Sequence, residues 1–392
     1  MFEYNNKDDH DPREHKLIKY IVKETKGYIQ MHRPKPILVD WSETCATESD
    51  KTVEQILNGA TDKELRAIGC MCGMMIGDAF GAPMEFSHLI YDNPNPVTTM
   101  TSVEHFNLKA GQFTDDTSMG LCLADSLIYC KEFNPTDFML RNVGWWYLGY
   151  NNAFKYDKQN SHRRSVGLGG NISESLYEFI KYGHPYTKAG DLNTSGNGSI
   201  MRNAPIPVMF CQNMDNALKF AYLQSKTTHQ GTISAECAKL LTYICVNWIN
   251  DNTVPLIDLV NSFSVDSNDE TILKLKNSNE PFNWKNKNFR FHEERSKKMP
   301  GYIGSFSADC LALALHCILY TINFKEAIIK CCNYGGDADS TGSVTGQMAG
   351  AKYGYNNIPS EWLEECHKWH NGEIIIRAEK LFHLNNKNKT MD

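Results

Sequence analysis

Two short acidic segments, far apart in the chain, carry the side chains best suited to chemistry. Asp115 and Asp116 are consecutive and flanked by threonines, and Asp337 and Asp339 belong to the run Gly-Gly-Asp-Ala-Asp-Ser-Thr-Gly. Neighbouring carboxylates repel one another unless a positive charge lies beside them. Oxygen-rich clusters of this kind suit a hard cation such as Mg²⁺ or Mn²⁺. We therefore predict a binuclear metal site at which both segments converge.

Helix capping is the alternative interpretation of each acidic segment. Each one precedes a predicted helix, at 118–128 and at 343–351, and carboxylates interact favourably with the dipole at a helix N-terminus. The first segment supplies more oxygen atoms than a cap requires, because Thr114 and Thr117 flank its two aspartates.

The glycine-rich run 196–199, Gly-Asn-Gly-Ser, is typical of a turn that binds phosphate. It exposes backbone N–H groups ahead of a short predicted helix, and such groups bind phosphate oxygens. Arg202 would add a charge-assisted contact to the same anion. An ordinary turn is the alternative, because the Gly-Lys-Ser/Thr of a P-loop does not follow.

The segment Gly-Asp-Ala-Phe-Gly-Ala-Pro-Met-Glu-Phe at 77–86 ends a helix that we predict to begin with Asp62 as its N-cap. Its glycines and proline place Asp78 and Glu85 at or just beyond the helix end. His229, ahead of another predicted helix, is expected to be structural. Neither a Gly-x-Ser-x-Gly elbow nor a His-Glu-x-x-His motif occurs, so nothing supports a covalent serine or cysteine mechanism.

Composition and charge narrow the class of protein. The 392 residues are 41% hydrophobic and 22% charged, which are ordinary globular values, and the net charge of −6 argues against a general nucleic-acid binder. No run of about 18 apolar residues predicts a transmembrane helix, and the polar start lacks the apolar core of a secretory signal. We expect a monomeric, cytoplasmic or otherwise intracellular protein without a membrane partner. Its 13 cysteines are expected to be buried structural thiols.

Apolar residues recur at helical spacing after residue 62, and alternating strand patterns are scarce. The predicted fold class is therefore all-α, with the main domain at 63–380. The predicted helices include 119–128, 172–180, 233–249, 311–320 and 324–332.

Two parts of the chain lie outside this pattern. Residues 1–62 form a predicted N-terminal extension, in which the spacing of Leu17, Ile21 and Tyr28 indicates a short helix, followed by a strand or extended arm at 36–40. Residues 250–300 are rich in Asn, Lys and Ser and are predicted to be a solvated insertion. A basic flap near an anionic ligand is the alternative, because 272–300 holds eight Lys/Arg and three Asp/Glu.

Taken together and in this order, the motifs resemble those of the ADP-ribosylglycohydrolase family. The matching segments are GDAFGAPMEF, FTDDTSM, GNGSIMRNAPI, TTHQGTISAECA and YGGDADSTGSVTGQMAGAKYG, between about Leu65 and about Pro359. Each motif is weak alone, but the five in sequence are specific. The resemblance implies an all-α orthogonal helical domain with a central binuclear metal cleft that holds two Mg²⁺ ions, or Mn²⁺ in their place.

The resemblance also implies roles for individual residues. The family's mobile glutamate matches Glu85, and 167–170 falls where the family often has a further ligand-contacting loop. The loop that would hold the diphosphate side of ADP-ribose consists of Gly196, Asn197, Gly198 and Ser199. The metal ligands would be Thr114, Asp115, Asp116, Asp337, Asp339 and Ser340.

Three positions depart from the family pattern. Ala338 stands where many members have Thr or Ser, and Ser340 replaces Thr but keeps the hydroxyl. Gln347 replaces a small residue on the following helix. The acidic ligand set is intact, so an active enzyme is the expectation.

The expected activity is that of a Mg²⁺-dependent hydrolase that cleaves the glycosidic bond between ADP-ribose and a modified side chain or related conjugate. Oxocarbenium character develops at the anomeric carbon, the metal orients the ribose and acidifies a water, and Glu85, Asp116 or Asp337 takes the proton. The alternatives are a non-catalytic ADP-ribose-binding or structural protein, as the J-type crystallins of this family are, and a phosphohydrolase. The acceptor stays open among arginine, serine, nucleotides and esters.

Overall fold

α-Helices and the turns between them make up the computed structural model, which describes residues 11–27, 46–188, 195–265 and 269–384. No β-strand occurs within these ranges, which confirms the all-α prediction. In chain order the helices are α1 (Lys16–Thr25), α2 (Val53–Gly59), α3 (Asp62–Gly81), α4 (Asp115–Cys130), α5 (Pro135–Leu148), α6 (Gly170–Tyr182), α7 (Pro205–Met209), α8 (Met214–Lys226), α9 (Thr232–Asn250), α10 (Leu256–Ser262), α11 (Glu270–Asn277), α12 (Glu293–Lys298), α13 (Ser307–Leu319), α14 (Phe324–Cys332), α15 (Ala338–Tyr353), α16 (Ser360–His370) and α17 (Glu373–Leu384).

The N-cap of helix α3 lies one residue earlier than the sequence predicted. The hydroxyl of Thr61 accepts a hydrogen bond from the Glu64 N–H at 3.3 Å, and the Glu64 carboxylate accepts one from the Thr61 N–H at 2.7 Å. This reciprocal capping box makes Thr61 the N-cap, so the assignment of that role to Asp62 was wrong. The helix ends at Gly81 and continues as a 3-10 turn, Ala82–Met84, so Asp78 lies in its last turn.

The centre of the fold is a close antiparallel contact between α3 and α15. A Cβ atom at Gly73 would lie 2.0 Å from the carbonyl oxygen of Gly346, and one at Gly346 would lie 1.9 Å from that of Gly73. Both helices carry a small residue at every fourth position, where side chains fall on one face. The facing pairs are Gly69 with Gly350, Gly73 with Gly346, Gly77 with Gly342, and Gly81 with Ala338.

The antiparallel register brings the C-terminal end of α3 to the N-terminal end of α15. α15 begins at Ala338, ahead of the predicted 343, and α4 begins at Asp115, ahead of the predicted 118. Both acidic segments therefore lie in the first turns of helices, where the dipoles favour negative charge. The fold thus gathers three helix ends at one place.

One apolar core surrounds α3. The segment Asp62–Met84 is long and apolar enough to cross a membrane by length and composition, but 94% of its apolar 18-residue window is buried inside the protein. This burial is the pattern of a central core helix. The cysteines that the structure describes are unpaired, and nearly all of them are buried, as predicted for structural thiols.

The described parts of the N-terminal extension pack against the body of the protein. α1 buries Leu17, Ile18 and Ile21 in the core, and α2 contacts α17. The continuation of the predicted helix to Tyr28 and the strand or arm at 36–40 lie outside the described residues. The division of the chain at residue 62 stays a prediction.

The predicted solvated insertion at 250–300 was wrong in one respect. Its aromatic residues and several of its aliphatic residues are buried, and aromatic side chains bury a large area each, so the segment contributes to the core. The Trp284 indole N–H donates to the Leu275 carbonyl at 2.7 Å, which anchors the loop after α11. The buried apolar residues are Leu256, Leu259, Val260, Phe263, Ile272, Leu275, Phe282, Trp284, Phe289 and Phe291.

The glycine contact makes a direct stability prediction. Gly73→Ala or Gly346→Ala would force two helix backbones apart, and we expect each to lower the free energy of unfolding by about 1–3 kcal/mol or more. Gly59→Ala is the matched control, because its exposed helical site has no atom within 4 Å of the added Cβ. Urea unfolding followed by circular dichroism measures the difference. Equal stability of the three variants would contradict the contact.

Candidate active site

Asp78 organises the first acidic segment from the end of α3. Its carboxylate accepts hydrogen bonds from the Thr114 N–H at 3.0 Å and the Thr114 hydroxyl at 2.9 Å. It also accepts bonds from the Thr117 N–H at 2.9 Å and the Thr117 hydroxyl at 2.6 Å. The start of α4 is therefore fixed to the end of α3. Sequence reasoning had placed Asp78 only near a helix end and had not assigned it a role.

The two acidic segments meet, as predicted. Carboxylate oxygens of Asp78, Asp116 and Asp339 lie within 4.8 Å of one another, and so do those of Glu85, Asp337 and Asp339. Asp339 belongs to both groups, which places them side by side. Such an arrangement of hard oxygen donors can hold divalent cations.

The carboxylates are buried, and their electrostatics call for positive charge. Burial, followed by the charge of Asp339, raises the pKa of Asp78 to about 7. Burial and the neighbouring carboxylates likewise raise the pKa values of Glu85, Asp115, Asp116 and Asp339 well above the ordinary carboxyl range. Without a cation, the cluster keeps protons that exposed carboxyl groups would release at neutral pH.

Two buried oxygens of the cluster show that its residues fit a metal ion. Glu85 Oε2 and Asp116 Oδ1 are shielded from solvent and make no hydrogen bond within the protein. His105 Nε2 lies 3.6 Å from Glu85 Oε2, but burial lowers the pKa of His105 and disfavours its charged form. Buried carboxylate oxygens without partners are costly, and a bound cation would satisfy them.

Two further predicted ligands lie beside these carboxylates. The Thr114 hydroxyl is 3.3 Å from Asp116 Oδ2 and 3.4 Å from Asp339 Oδ2. The Ser340 N–H donates to Asp339 Oδ1 at 2.8 Å, and its hydroxyl donates to the sulfur of Met201 at 3.5 Å. Their assignment as metal ligands stays a prediction.

A cavity of about 370 Å³ opens next to the carboxylates. It is large enough to bind a small organic ligand. Residues from seven parts of the chain line it. They are Glu85, Asp115, Gly167 with residues 169–172 at the start of α6, the turn 195–198 with Met201, His229, the segment with Met299, Tyr302, Ser305 and Phe306, and the acidic run with Asp337, Asp339 and Ser340.

The glycine-rich turn forms one wall of this cavity and is tied to the acidic cluster. The Asn197 side-chain amide donates to Asp337 Oδ2 at 2.8 Å and to the Gly304 carbonyl at 3.1 Å. The Asn197 N–H donates to the Ser305 carbonyl at 2.8 Å. Gly196, Asn197 and Gly198 face the cavity, whereas Ser199 is buried behind them and accepts a hydrogen bond from Ser225 at 2.9 Å.

The loop at 167–170 forms a second wall, close to Asp115. Gly167 has a φ of +88°, and a Cβ atom there would lie 2.1 Å from Asp115 Oδ1. Glycine is required at this position because both the backbone conformation and the space exclude a side chain.

His229 is a cavity residue that sequence reasoning had taken as structural. Its ring lies under the glycine-rich turn, since a Cβ at Gly198 would be 2.7 Å from its Cε1. Its Nδ1 is 2.9 Å from the Thr228 hydroxyl. Burial and the charge of Arg202 lower the pKa of His229 to about 3, so the ring is neutral. The indication in the sequence that His229 lies at the site was its position just before a helix, which faces the glycine-rich turn.

Arg202 does not face the cavity, so its predicted contact with a phosphate was wrong. The side chain is fully buried and donates to Gln224 Oε1 at 3.1 Å and to the Thr228 hydroxyl at 2.8 Å. Its guanidinium lies 5.0 Å from the centre of the Phe138 ring. Arg202 therefore supports the glycine-rich turn from the side away from the cavity.

Gln347 has a comparable structural role. Its side-chain amide donates to the carbonyls of Ile200 at 2.9 Å and Met201 at 2.7 Å. These bonds hold the residues after the glycine-rich turn against α15. The larger residue at this position is therefore explained.

The segment after α12 forms the cavity wall that sequence reasoning missed. Arg295 donates to the buried carboxylate of Asp309, and its guanidinium lies 4.9 Å from the Phe282 ring and 4.8 Å from the Phe306 ring. This ion pair holds Met299 and the residues up to Phe306 over the cavity. None of the described Lys or Arg residues of 250–300 lines the cavity, so the basic-flap alternative gains no support.

Comparison with known proteins gives a consistent result. The profile of a family described as ADP-ribosylglycohydrolase matches residues 60–390. "ADP-ribosylarginine hydrolase Tri1" of Serratia proteamaculans (strain 568) is 31% identical over 320 residues, which are 81% of this chain and 79% of that protein. "ADP-ribosyl-[dinitrogen reductase] glycohydrolase" of Rhodospirillum rubrum is 28% identical over 325 residues, which are 81% of this chain and 96% of that protein.

A solved structure has the same architecture. A chain of an "ADP-ribosylglycohydrolase-related protein complex" superposes with a TM-score of 0.64 and 27% identity, covering 83% of this chain and 99% of that one. Because the family profile matches most of the sequence and the fold agrees, this protein belongs to the ADP-ribosylglycohydrolase family of enzymes.

Proposed function

We propose that this enzyme is a Mg²⁺-dependent hydrolase that releases ADP-ribose from arginine side chains of modified proteins. The observation that carries the proposal is the convergence of two buried carboxylate groups with a glycine-rich turn in one cavity. The arginine acceptor is supported by similarity to a protein named as an ADP-ribosylarginine hydrolase.

The carboxylates that would hold the metal are those of Asp78 or Asp116, Asp337 and Asp339, with Thr114, Asp115 and Ser340 beside them. When bound, divalent cations supply charge that orients ribose hydroxyls and acidifies water. The shared position of Asp339 in both groups favours two ions over one.

Glu85 is the carboxylate best suited to take a proton from water. It lines the cavity, and its Oε2 makes no hydrogen bond that would hold the lone pairs. Asp337, by contrast, has Oδ2 committed to Asn197, and Asp116 does not line the cavity. A general base must be ionised and near the reacting water, and bound cations would offset the repulsion of the neighbouring carboxylates and so favour the ionised form of Glu85.

The turn at 196–198 would bind the diphosphate. Its backbone faces the cavity, and glycines let phosphate oxygens approach closely. The neutral His229 ring supports the turn without adding charge. ADP-ribose held there would present its distal ribose to Glu85 and the aspartates.

The intact carboxylate set disfavours the non-catalytic alternative. A protein that only binds ADP-ribose has no use for this many buried acids, which destabilise the fold when ionised. The phosphohydrolase alternative makes a different product, phosphate or AMP, and the assay below separates the two.

The first prediction concerns the product. Purified protein with Mg²⁺ is expected to release free ADP-ribose from an arginine-linked substrate, and faster than from serine-linked or O-acetyl ADP-ribose. Chromatography identifies the product, with EDTA as the control. AMP or phosphate as the product would contradict the glycohydrolase proposal, and faster release from a different acceptor would contradict the arginine assignment.

The second prediction concerns the ligands. Asp116→Asn and Asp339→Asn remove a donor from the cluster, so each is expected to lower kcat/KM at least about a hundredfold. Each should also reduce the rise in melting temperature that Mg²⁺ produces in the parent protein. Asp92→Asn is the control, because that carboxylate is 91% exposed. Full activity of either cluster variant would oppose the proposal.

The third prediction concerns pH. Above about pH 7.5 the histidines are neutral in both the folded and the unfolded state, so between about pH 7.5 and 8.5 they contribute no slope. Asp78, with its pKa raised to about 7, and its neighbours bind protons in the folded state that the unfolded chain has released. The stability of EDTA-treated protein should therefore fall as pH rises through this range, and saturating Mg²⁺ should reduce the fall.

Thermal unfolding at several pH values, with EDTA or with Mg²⁺, measures this dependence. A metal-free melting temperature that rises over the range would show that the carboxylates are not strained by burial.

A further inference from the structure

One residue beside the acidic cluster combines an unusual backbone conformation with an exposed aromatic ring. Phe86 follows Glu85 directly, has a φ of +63°, and leaves 48% of its surface exposed. A bulky residue in the left-handed region is a backbone outlier, and strain of this kind clusters at functional sites.

Phe86 is held in this position from both sides. Its N–H donates to the Gly336 carbonyl at 2.9 Å, and the Gly336 N–H donates to the Ser87 carbonyl at 3.0 Å. Gly301, at a φ of +80°, lies so close that a Cβ there would be 2.7 Å from the Phe86 carbonyl oxygen. The position of Phe86 is therefore fixed by Gly336, in the second acidic segment, and by Gly301, in the segment after α12.

Phe86 forms an aromatic pair with a cavity residue. Its ring stacks on Tyr302, with centroids 5.6 Å apart and planes at 12°, and Tyr302 is itself 37% exposed. The edge of His105 meets the Phe86 ring at 5.2 Å. We call Phe86 and Tyr302 the aromatic ledge.

The groups around the ledge indicate the kind of ligand that it can take. Tyr302 shares the cavity lining with Glu85, Asp115, Asp337 and Asp339, so carboxyl oxygens that can accept hydrogen bonds lie beside the ledge. A planar cation can stack on an aromatic face and donate hydrogen bonds to such oxygens at the same time. A diphosphate has neither a face to stack nor a proton to donate, and the titration described below separates a stacked guanidinium from a stacked adenine.

We propose that the aromatic ledge, Phe86 with Tyr302, binds the guanidinium group of the acceptor arginine by stacking and thereby selects arginine-linked substrates. This inference rests on the proposed function for its substrate class. A serine or ester acceptor has no planar cation to stack, so the ledge distinguishes acceptors and leaves recognition of ADP-ribose to the glycine-rich turn.

A binding experiment tests the ledge without relying on turnover. The probe is agmatine, which carries a guanidinium on an alkyl chain, titrated calorimetrically into full-length protein saturated with Mg²⁺ and ADP-ribose. Phe86→Leu and Tyr302→Leu keep apolar bulk but remove a ring face, and each is expected to weaken agmatine binding about three- to tenfold. Phe86→Tyr should bind as the parent does. Tyr182→Leu, at a remote exposed tyrosine, is the matched control.

Three outcomes would contradict the proposed role of the aromatic ledge. Equal agmatine affinity of Phe86→Leu and the parent would show that stacking contributes nothing. An equal loss of affinity for ADP-ribose alone would show that the ledge holds the nucleotide. Binding of putrescine, a non-planar dication, as tightly as agmatine would assign recognition to charge alone.

Turnover provides the second readout. Phe86→Leu is expected to raise KM for arginine-linked ADP-ribose about three- to tenfold and to leave KM for O-acetyl ADP-ribose unchanged. If the parent releases no ADP-ribose from any substrate, the proposed function fails while the agmatine titration still decides the ledge.

Discussion

The closeness of α3 and α15 is the constraint on which the rest of the structure depends. The two backbones approach so nearly that a Cβ atom at either Gly73 or Gly346 would overlap the opposite carbonyl. This contact is long, because small residues recur at every fourth position of both helices. It fixes the relative rotation and translation of the helices, and therefore the place where Asp78 meets Asp339. A looser helix pair could tolerate side-chain adjustments, but it could not hold buried carboxylates within 4.8 Å of one another.

The acidic cluster is the part of the protein that is least favourable by itself. Burial opposes the ionised form of every carboxylate in it, and their mutual repulsion adds to that cost. The helix N-termini of α4 and α15 and the hydroxyls of Thr114 and Thr117 offset part of it. The rest of this cost would be reduced by positive charge, both from cations bound at the carboxylates and from a cationic acceptor at the cavity mouth. The same cluster of buried carboxylates therefore opposes folding and favours the binding of cations.

Local patterns in the sequence predicted the helices and the acidic segments, because helical periodicity and oxygen-rich motifs are short-range features. The meeting of Asp116 with Asp339 was predicted from chemical logic and from the family resemblance. Contacts that depend on packing could not be read in this way. Arg202 has the charge that suits a phosphate, yet it is turned inward by Gln224 and Thr228. Few apolar positions at 250–300 suggested a solvated segment, but Trp284 and the phenylalanines of the segment are buried in the core. Gln347 became intelligible only when its two carbonyl partners were known.

The glycine contact also fixes the number of residues between the paired glycines and the carboxylates of the two helices. Each residue turns an α-helix by about 100°, so one residue inserted between Gly69 and Asp78 would rotate the carboxylate away from Thr114 while the glycines upstream kept their partners. The same holds between Asp339 and Gly350. We therefore expect insertions and deletions to be excluded from these helices and tolerated in the segments that border the cavity, such as 299–306. Divergence of acceptor preference among related enzymes should be recorded in loop length, while the spacing of the paired glycines stays constant.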